Sequence, residues 1–289
     1  MLASALLSGL GLGSMYGLLA LGFYVTYSVS RTVNFSQGSS MMLGAVLAYT
    51  FVMRAGWPLV LAIAAALLLC ALYGVVVERI AVRPFVKRRS EGWLMSTVAV
   101  GIIADNAVLF TFGKEPRGFS VPWTAASADV LGVHVSALQV AIPAVGLGAA
   151  AVLHAFSRRS RLGKAMRAVM QNPDAARLMG IDVSLAVAAA YAIASVFAGV
   201  AGVMIAPLFN VHSDMGTVFG LKAFAVAILG GITSAWGVVL AGLVFGAAES
   251  LITAFLGSSY TQILTFALVI VALAIRPDGL LGRAVVRKV

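Results

Sequence analysis

Charged residues are scarce in this sequence. Only 10% of its 289 residues are charged, whereas 61% are hydrophobic and the mean hydropathy is +1.02. Because about a quarter of the residues in a soluble domain are typically charged, the composition excludes a soluble globular protein. Apolar runs close to the roughly 20 residues that cross a bilayer as a helix recur along the whole chain. The sequence therefore predicts an integral membrane protein with little material left for a separate soluble domain.

Residue patterns typical of catalysis and of metal or nucleotide binding are also lacking. Cys70 is the single cysteine and lies within an apolar run, so no internal disulfide can form. The sequence contains no GxxxxGK[ST] nucleotide-binding motif. The three histidines lack the spacing of a metal site; they are His134, His154 and His212. We therefore expect no enzymatic activity, no metal site and no bound cofactor.

Nine apolar segments predict membrane-spanning helices, although a count of eight or ten also fits the pattern. The segments lie near residues 5–28, 36–53, 57–77, 94–112, 136–156, 184–207, 218–234, 237–256 and 261–275. The last three are short, and Gly230, Gly231 and Gly237 are also compatible with broken or re-entrant helices. The prediction is an all-α polytopic membrane protein with a single transmembrane domain over residues 1–289.

The distribution of Lys and Arg predicts how the chain is oriented. With nine spans, 16 of the 20 basic residues fall on one side of the membrane and three on the other, and Lys222 lies near the membrane. Cytoplasmic loops are enriched in Lys and Arg. We therefore expect a multi-pass protein of the inner (plasma) membrane, with the N-terminus outside and the C-terminus cytoplasmic. Because the basic residues flank spans, we expect no nucleic acid partner despite the net charge of +10.

Small residues recur at helical spacing in several of the predicted spans. Gly9, Gly13 and Gly17 fall every four residues in the first span, and Gly242 and Gly246 repeat the spacing in a later one. Such faces allow two helix backbones to approach closely. No strand precedes the first of these runs, so a dinucleotide-binding glycine motif is a poor alternative.

A short polar helix is predicted between two apolar segments, within the interval 157–184. Its sequence is QNPDAARLMGID, residues 171–182. Asn172 is a favourable N-cap, Pro173 suits the first helical position, and Gly180 suits the left-handed backbone that ends a helix. The predicted helix covers Pro173–Met179, which is too short to be stable alone in water. Another surface must therefore hold it in place.

The faces of this helix leave two alternatives for that surface. Ala175, Leu178 and Met179 form an apolar stripe at i, i+3 and i+4, whereas Asp174 and Arg177 lie off it. The stripe can lie on the chain's own membrane domain or dock in a groove of a cytoplasmic partner. The residues alone do not separate these alternatives.

Polar residues at or near membrane depth are candidates for a transport pathway. The run NFSQGSS, which includes Asn34, Gln37 and Ser39, is either a cytoplasmic turn with an N-cap or an element that lines or gates a pathway. Intramembrane ionisable residues are costly in lipid and are functional candidates by default. The remaining candidates either line a pathway or pair with other residues inside the bundle; they are Asp105, Asn106, Lys222 and Glu249. Lys222 lies near a span end, where its side chain can also extend to the interface.

Several stretches resemble a known family of importer permeases. The pattern G-x-x-x-R-A-x-x-x-N-P-x-A-A-x-x-x-G-I over residues 163–181 is similar to a loop of ABC-type permeases of the branched-chain amino-acid class. The segments NFSQG, LKAFAVAILGG and RPDGLLG, at residues 34–38, 221–231 and 276–282, are also similar to segments of this family. The resemblance extends from about residue 10 to residue 282.

The resemblance implies a function and a set of partners. The loop at 157–184 would supply a cytoplasmic coupling helix that docks on an ATP-binding subunit. The docking residues implied are Asn172, Pro173, Asp174, Ala175, Ala176, Arg177, Leu178, Met179 and Gly180. The expected partners are two cytoplasmic ATPase subunits, a second related permease or a second copy of this chain, an extracytoplasmic substrate-binding protein and the lipid bilayer.

The cargo implied by the resemblance is a branched-chain or other hydrophobic amino acid. Related permeases carry urea, short amides or other amino acids, which remain alternatives. Two further hypotheses do not depend on the resemblance. One is an ion-coupled secondary transporter that uses Asp105 or Glu249, and the other is a membrane scaffold that transports nothing.

Overall fold

The fold is a bundle of α-helices with one short β-hairpin, as seen in a computed structural model that describes residues 2–119, 127–130, 133–276, 279 and 281. The helices are α1 Leu2–Ser30, α2 Gln37–Tyr49, α3 Leu59–Val77, α4 Arg83–Lys87, α5 Trp93–Phe112, α6 Ala137–Arg159, α7 Arg161–Gln171, α8 Pro173–Leu178, α9 Val183–Ile205, α10 Met215–Gly230, α11 Ala235–Leu256 and α12 Ser258–Ile275. The antiparallel strands β1 (Ser127–Val130) and β2 (Val133–Ser136) lie between α5 and α6 in sequence.

Seven of the described helical segments are long and apolar enough to cross a membrane. They are α1, α3 with its continuation through α4, α5, α6, α9, α11 and α12. Each of the nine predicted apolar segments coincides with a helix, and the two that fall short are α2, with 13 residues, and α10, with 16. The prediction of an all-α polytopic membrane protein is therefore confirmed.

The glycine-rich junction after α10 connects two helices instead of breaking one. Gly231 has a φ of +84° and begins a short turn, and α11 follows with 22 residues. A Cβ on Gly230 would lie 2.5 Å from the carbonyl oxygen of Gly237, so both positions need glycine for the helices to meet. Of the last three predicted spans, only the first is short.

The helices differ widely in how much of their surface lies inside the bundle. In α1, 72% of the most apolar stretch is buried, against 11% in α12. The short helix α2 is enclosed more completely, since ten of its 13 residues are buried, including Gln37 and Ser40. Because protein instead of lipid surrounds it, α2 can carry polar side chains at membrane depth.

Glycine faces bring the central helices into close contact, as the spacing predicted. A Cβ on Gly13 of α1 would lie 2.5 Å from the carbonyl oxygen of Gly242 in α11. Similarly, a Cβ on Gly44 of α2 would lie 2.5 Å from the Cα of Gly199 in α9. In both crossings only glycine permits the observed distance between backbones. Helix α1 thus packs on α11, and α2 packs on α9.

Basic residues collect at one end of the bundle, which we call the basic end. A cavity of about 520 Å³ there is lined by residues from α1, α4, α7, α8 and α9, including Arg31, Lys87 and Arg177. At the opposite end, Arg54 and Arg117 both lie over the ring of Phe112, at 5.6 and 4.4 Å from its centroid. This separation of basic residues between the two ends agrees with the distribution of Lys and Arg predicted from the sequence. The sequence pattern assigns Arg283, Arg287 and Lys288 to the same side, but these residues lie outside the described residues.

Two π-helical turns modify helix ends. One, Thr50–Arg54, continues α2, and the other, Glu78–Val82, joins α3 to α4. The second turn allows Arg83 to donate from Nε and Nη2 to the two carboxylate oxygens of Glu78, at 3.0 and 2.9 Å. The buried carboxylate of Glu78 is thereby neutralised at the basic end.

Candidate functional site

Helix α7 fixes the polar segment to the basic end of the bundle. Its buried residues are Gly163, Met166 and Val169, which recur every three positions and form one face. The N-cap Ser160 accepts a hydrogen bond from the amide of Gly163 at 2.8 Å. The other face of α7 is exposed and includes Arg161 and Lys164.

Helix α8 is capped at both ends. The side-chain oxygen of Asn172 accepts hydrogen bonds from the amides of Asp174 and Ala175, each at 3.0 Å. At the other end, the amide of Ile181 donates to the carbonyl of Ala176 and the amide of Gly180 to that of Arg177, both at 3.0 Å. These two backbone hydrogen bonds, together with the φ of +80° at Gly180, form a Schellman cap. The predicted helix is confirmed, although it ends at Leu178 and not at Met179.

The apolar stripe of α8 points away from the chain's own bundle. Leu178 and Met179 are 89% and 82% exposed, and Ala175 is exposed as well. Ala176 is 4% exposed and makes the contact with the bundle. The alternative in which the stripe packs on the chain's own membrane domain is therefore wrong for the described residues. An exposed ion pair between Asp174 and Arg177, at 3.2 Å, lies beside the stripe.

The polar run over residues 34–40 leads into α2, and its polar side chains are buried and hydrogen-bonded. Asn34 and Gln37 are 0% exposed. The side chain of Asn34 accepts from the amide of Ser36 at 3.1 Å, and Gln37 Nε2 donates to the carbonyl of Ala194 in α9 at 2.8 Å. The run is therefore neither a solvated turn nor a capped helix start, because Ser36 makes no side-chain cap bond. Asn34 and Gln37 face protein, whereas Ser39 borders a cavity together with Phe35 and Gly38 of the same run.

Lys222 and Glu249 form an ion pair inside the bundle. Their side chains are 12% and 9% exposed, and they link α10 to α11. Lys222 Nζ also lies 3.4 Å from the hydroxyl of Tyr16 in α1. Lys222 is the eighth residue of α10, so its side chain does not extend to a membrane interface as the sequence allowed. The pair and Tyr16 connect α10, α11 and α1, and the two opposite charges neutralise each other.

Asp105 and its neighbour Asn106 face different surroundings. Asp105 borders a cavity of about 250 Å³ between α1, α2, α5 and α10, and its Oδ2 accepts from the hydroxyl of Thr217 at 3.4 Å. Asn106 is exposed on the outer surface of α5 and donates to the carbonyl of Ile102 in its own helix at 2.8 Å. Of the candidate pathway residues, Asp105 and Ser39 therefore share this cavity, and the other five lie outside it.

Comparison with known proteins identifies the family of this chain. Residues 5–273 match the family described as "Branched-chain amino acid transport system / permease component". The chain belongs to this family. It is a permease subunit of the ABC importer type, and the resemblance stated from the sequence is confirmed.

Curated relatives agree over nearly the full length. The high-affinity branched-chain amino acid transport system permease protein LivH of Escherichia coli K12 is 32% identical over 98% of this chain and 96% of its own. A second permease, LivM of Salmonella typhimurium, is 30% identical over a shorter region, covering 43% of this chain and 29% of its own. Among solved structures, PsaBC from Streptococcus pneumoniae in complex with Fab has a TM-score of 0.51 at 13% identity, over 94% of this chain and 91% of its own, which shows similarity of fold alone.

Some partners of the permease site residues were not found from the sequence. Tyr16 contacts Lys222 across 206 positions, and Thr217 bonds Asp105 across 112. No local pattern connects residues so far apart. A local signal did exist for Glu78 and Arg83, because this acid and this base lie five positions apart at the end of a helix.

Proposed function

We propose that this chain is the membrane-spanning permease of an ATP-driven importer for branched-chain or other hydrophobic amino acids. Family membership supports an importer that works with an ATPase and a binding protein. The finer composition belongs to the proposal: two ATPase subunits, and either a second permease of the LivM kind or a second copy of this chain. The partial similarity to LivM favours the paired, non-identical arrangement.

We further propose that α8 docks on the ATPase. The supporting observation is a capped two-turn helix whose apolar residues Leu178 and Met179 face solvent. Exposed apolar residues next to a charged rim are typical of a protein interface. A six-residue helix survives here because its caps satisfy the terminal backbone groups and Ala176 anchors it.

The connection from α8 to the bundle suits force transmission. Only Ile181 and Asp182 separate the glycine that ends α8 from the start of α9. Both are fixed, since Ile181 closes the cap of α8 and the carboxylate of Asp182 accepts from the amide of Leu185 at 3.1 Å. Helix α9 packs in turn on α2 through glycine contacts. A movement of α8 would thus reach α2 through packed elements.

The proposed orientation has the basic end in the cytoplasm. Helix α1 ends beside Arg31 at the basic end, so Leu2 lies toward the opposite end. In the proposed orientation the N-terminus would therefore lie outside, and α8 would lie on the side where ATP is available. The C-terminal residues 282–289, on which the sequence prediction of a cytoplasmic C-terminus also rests, lie outside the described residues.

The test of docking is a double substitution of the exposed stripe, Leu178→Asp with Met179→Asp. Because neither side chain packs on the bundle, the variant is expected to insert normally. Loss of two apolar anchors should weaken ATPase association by about tenfold or more. The measurements are ATPase co-purification and ATP-driven uptake of radiolabelled leucine into proteoliposomes.

The matched control is Leu208→Asp, an exposed apolar position at the opposite end of the bundle. It is expected to leave ATPase association unchanged. Wild-type ATPase affinity in the double variant would contradict a docking role for α8. The ion-coupled alternative gains no support from Glu249, because Lys222 already matches its charge.

A further inference from the structure

A cavity of about 250 Å³ lies within the bundle, bordered by α1, α2, α5 and α10. Two exposed apolar residues mark its mouth, Ile102 of α5 and Leu221 of α10, at 57% and 54% exposure. The cavity therefore opens on the side of the bundle where α5 and α10 are not covered by the described part of the chain. A passage shared with a second permease requires an opening of this kind.

The walls of the cavity are mostly apolar. Phe224 lies 5.6 Å from Phe23 and 5.2 Å from Phe35 between ring centroids, and all three rings line the cavity. The contact of α2 and α10 is very close here, since a Cβ on Gly216 would lie 2.5 Å from the carbonyl oxygen of Gly38. Aromatic and small residues thus form a surface that suits an aliphatic side chain.

Asp105 introduces the single acidic group into this cavity lining. Its Oδ2 accepts from the hydroxyl of Thr217, and the hydroxyl of Ser39 also stabilises the carboxylate, but its Oδ1 is buried and makes no hydrogen bond of normal geometry among the described residues. No ion pair joins Asp105 to a Lys or Arg in the described ranges. A carboxylate at this depth is costly unless a cation or further hydrogen bonds compensate it.

The two fully buried acids of the described bundle, in contrast, already have cations. Glu78 is paired with Arg83, and Glu249 is paired with Lys222. Glu249 also has one oxygen without a partner, but its charge is matched within the fold. The charged side chain that acts on Asp105 within the described chain is Asp214, which is also acidic. Asp105 is thus a half-buried acid with one buried oxygen, and the described chain supplies no counter-charge for it.

We propose that the missing counter-charge is the ammonium group of the cargo, and that Asp105 selects a cargo with a protonated amine over a neutral amide. The proposal rests on the proposed import function and names a specificity residue for it. An ammonium group donates charge-assisted hydrogen bonds to a carboxylate, and these replace the water lost on entry. The apolar rings accommodate the side chain of an aliphatic amino acid.

The geometry also explains why Asn106 is not part of this selection. It is adjacent in sequence, polar and of similar size, but it points to the outer surface of α5 and bonds to its own helix. The two neighbours therefore provide a matched pair of positions. One faces the cavity and the other does not.

The decisive experiment compares Asp105→Asn with Asn106→Ala in the transporter assembled with its second permease, ATPases and binding protein. Uptake of radiolabelled leucine and ATP hydrolysis stimulated by loaded binding protein are measured together. Asp105→Asn should lower uptake per ATP hydrolysed about tenfold or more, because one charge-assisted contact is lost. Asp105→Glu should recover part of it, and Asn106→Ala should equal wild type.

The outcomes separate this inference from the proposed function. Wild-type uptake per ATP in Asp105→Asn overturns the role of Asp105 and leaves the import function standing. Failure of the assembled wild-type transporter to take up leucine with ATP overturns the proposed function itself. If Asp105→Asn does not assemble, the labelling experiment below decides.

The second measurement locates the cargo directly. Thr217 is exposed at the cavity and lies beside Asp105, whereas the native Cys70 is fully buried. The variant Thr217→Cys in the assembled transporter should react with a cationic methanethiosulfonate reagent, and wild type should not. Cargo delivered by loaded binding protein during ATP turnover should slow the reaction several-fold. A thiol that never reacts, or reacts equally fast with cargo, overturns the proposal.

Discussion

Single residues determine where α8 begins and ends. Asn172 binds two free amides at the start, and Gly180 adopts the left-handed backbone that closes the end. A Cβ on Gly180 would meet no atom within 4 Å, so its requirement is conformational and not steric. A residue with a side chain is penalised there by its backbone alone.

The prediction at this scale concerns Gly180→Ala. Alanine is less stable in the left-handed region by about 1–2 kcal/mol, so the C-terminal cap should loosen while the bundle stays folded. Hydrogen exchange at the amides of residues 180 and 181 is expected to speed up about fivefold to thirtyfold. Gly180→Asn is the control and should change exchange less, because asparagine tolerates this conformation. Equal effects of the two substitutions would show that the cap depends on something other than backbone conformation.

Residue-scale signals in the sequence predicted the caps of α8 but not its exposed face. Caps depend on residues within about four positions, which a sequence displays directly. The direction of Leu178 and Met179 depends on how Ala176 meets the bundle, and this contact is tertiary. The same reason explains why the ion pair of Lys222 was not predicted. Its partner Glu249 is 27 residues away in sequence, and only the position of Lys222 near a predicted span end was visible.

Helices rely on glycine where they cross. Gly13 of α1 meets the backbone of α11, whereas a Cβ on Gly11, two positions earlier, would meet nothing within 4 Å. The spacing of small residues predicted these crossings, because a period of four keeps them on one face. It did not predict which helix lies opposite. The hydropathy pattern indicated a short α10, but it did not predict that α2 is short as well.

Two alanine substitutions test the crossing of α1 and α11. Gly13→Ala must separate two backbones that are already in contact, and it should destabilise the protein by roughly 1–3 kcal/mol. Gly11→Ala should be neutral or slightly stabilising, because alanine favours the helix. Thermal unfolding in detergent gives the comparison. Equal unfolding temperatures for the two variants would be inconsistent with the described crossing.

Across the whole molecule, an intramembrane ion pair joins helices that are distant in sequence. Lys222 of α10 contacts Glu249 of α11 and Tyr16 of α1. Tyr16 in turn packs edge-on against Phe245, with ring centroids 5.4 Å apart. The pair and its aromatic surroundings therefore fix three helices relative to one another.

The prediction for this pair is a double-mutant cycle. Lys222→Met alone leaves Glu249 as an uncompensated buried charge, and Glu249→Leu alone leaves Lys222 as one. Each single substitution should lower the free energy of unfolding by about 3–5 kcal/mol. The double variant should recover most of that loss, because no charge remains unpaired. Unfolding of purified protein gives the three values. Additive losses in the double variant would mean that the two side chains act independently.

The crossing of α1 and α11 also has a consequence for biosynthesis. Gly13 and Gly242 are more than 200 residues apart, so α1 leaves the ribosome long before its main packing partner exists. At about 5–20 residues per second, translation of the intervening chain takes roughly 10 to 45 s. During that interval the glycine face of α1 is covered by lipid or by the insertion machinery, and the centre of the bundle is completed only when the penultimate long helix arrives.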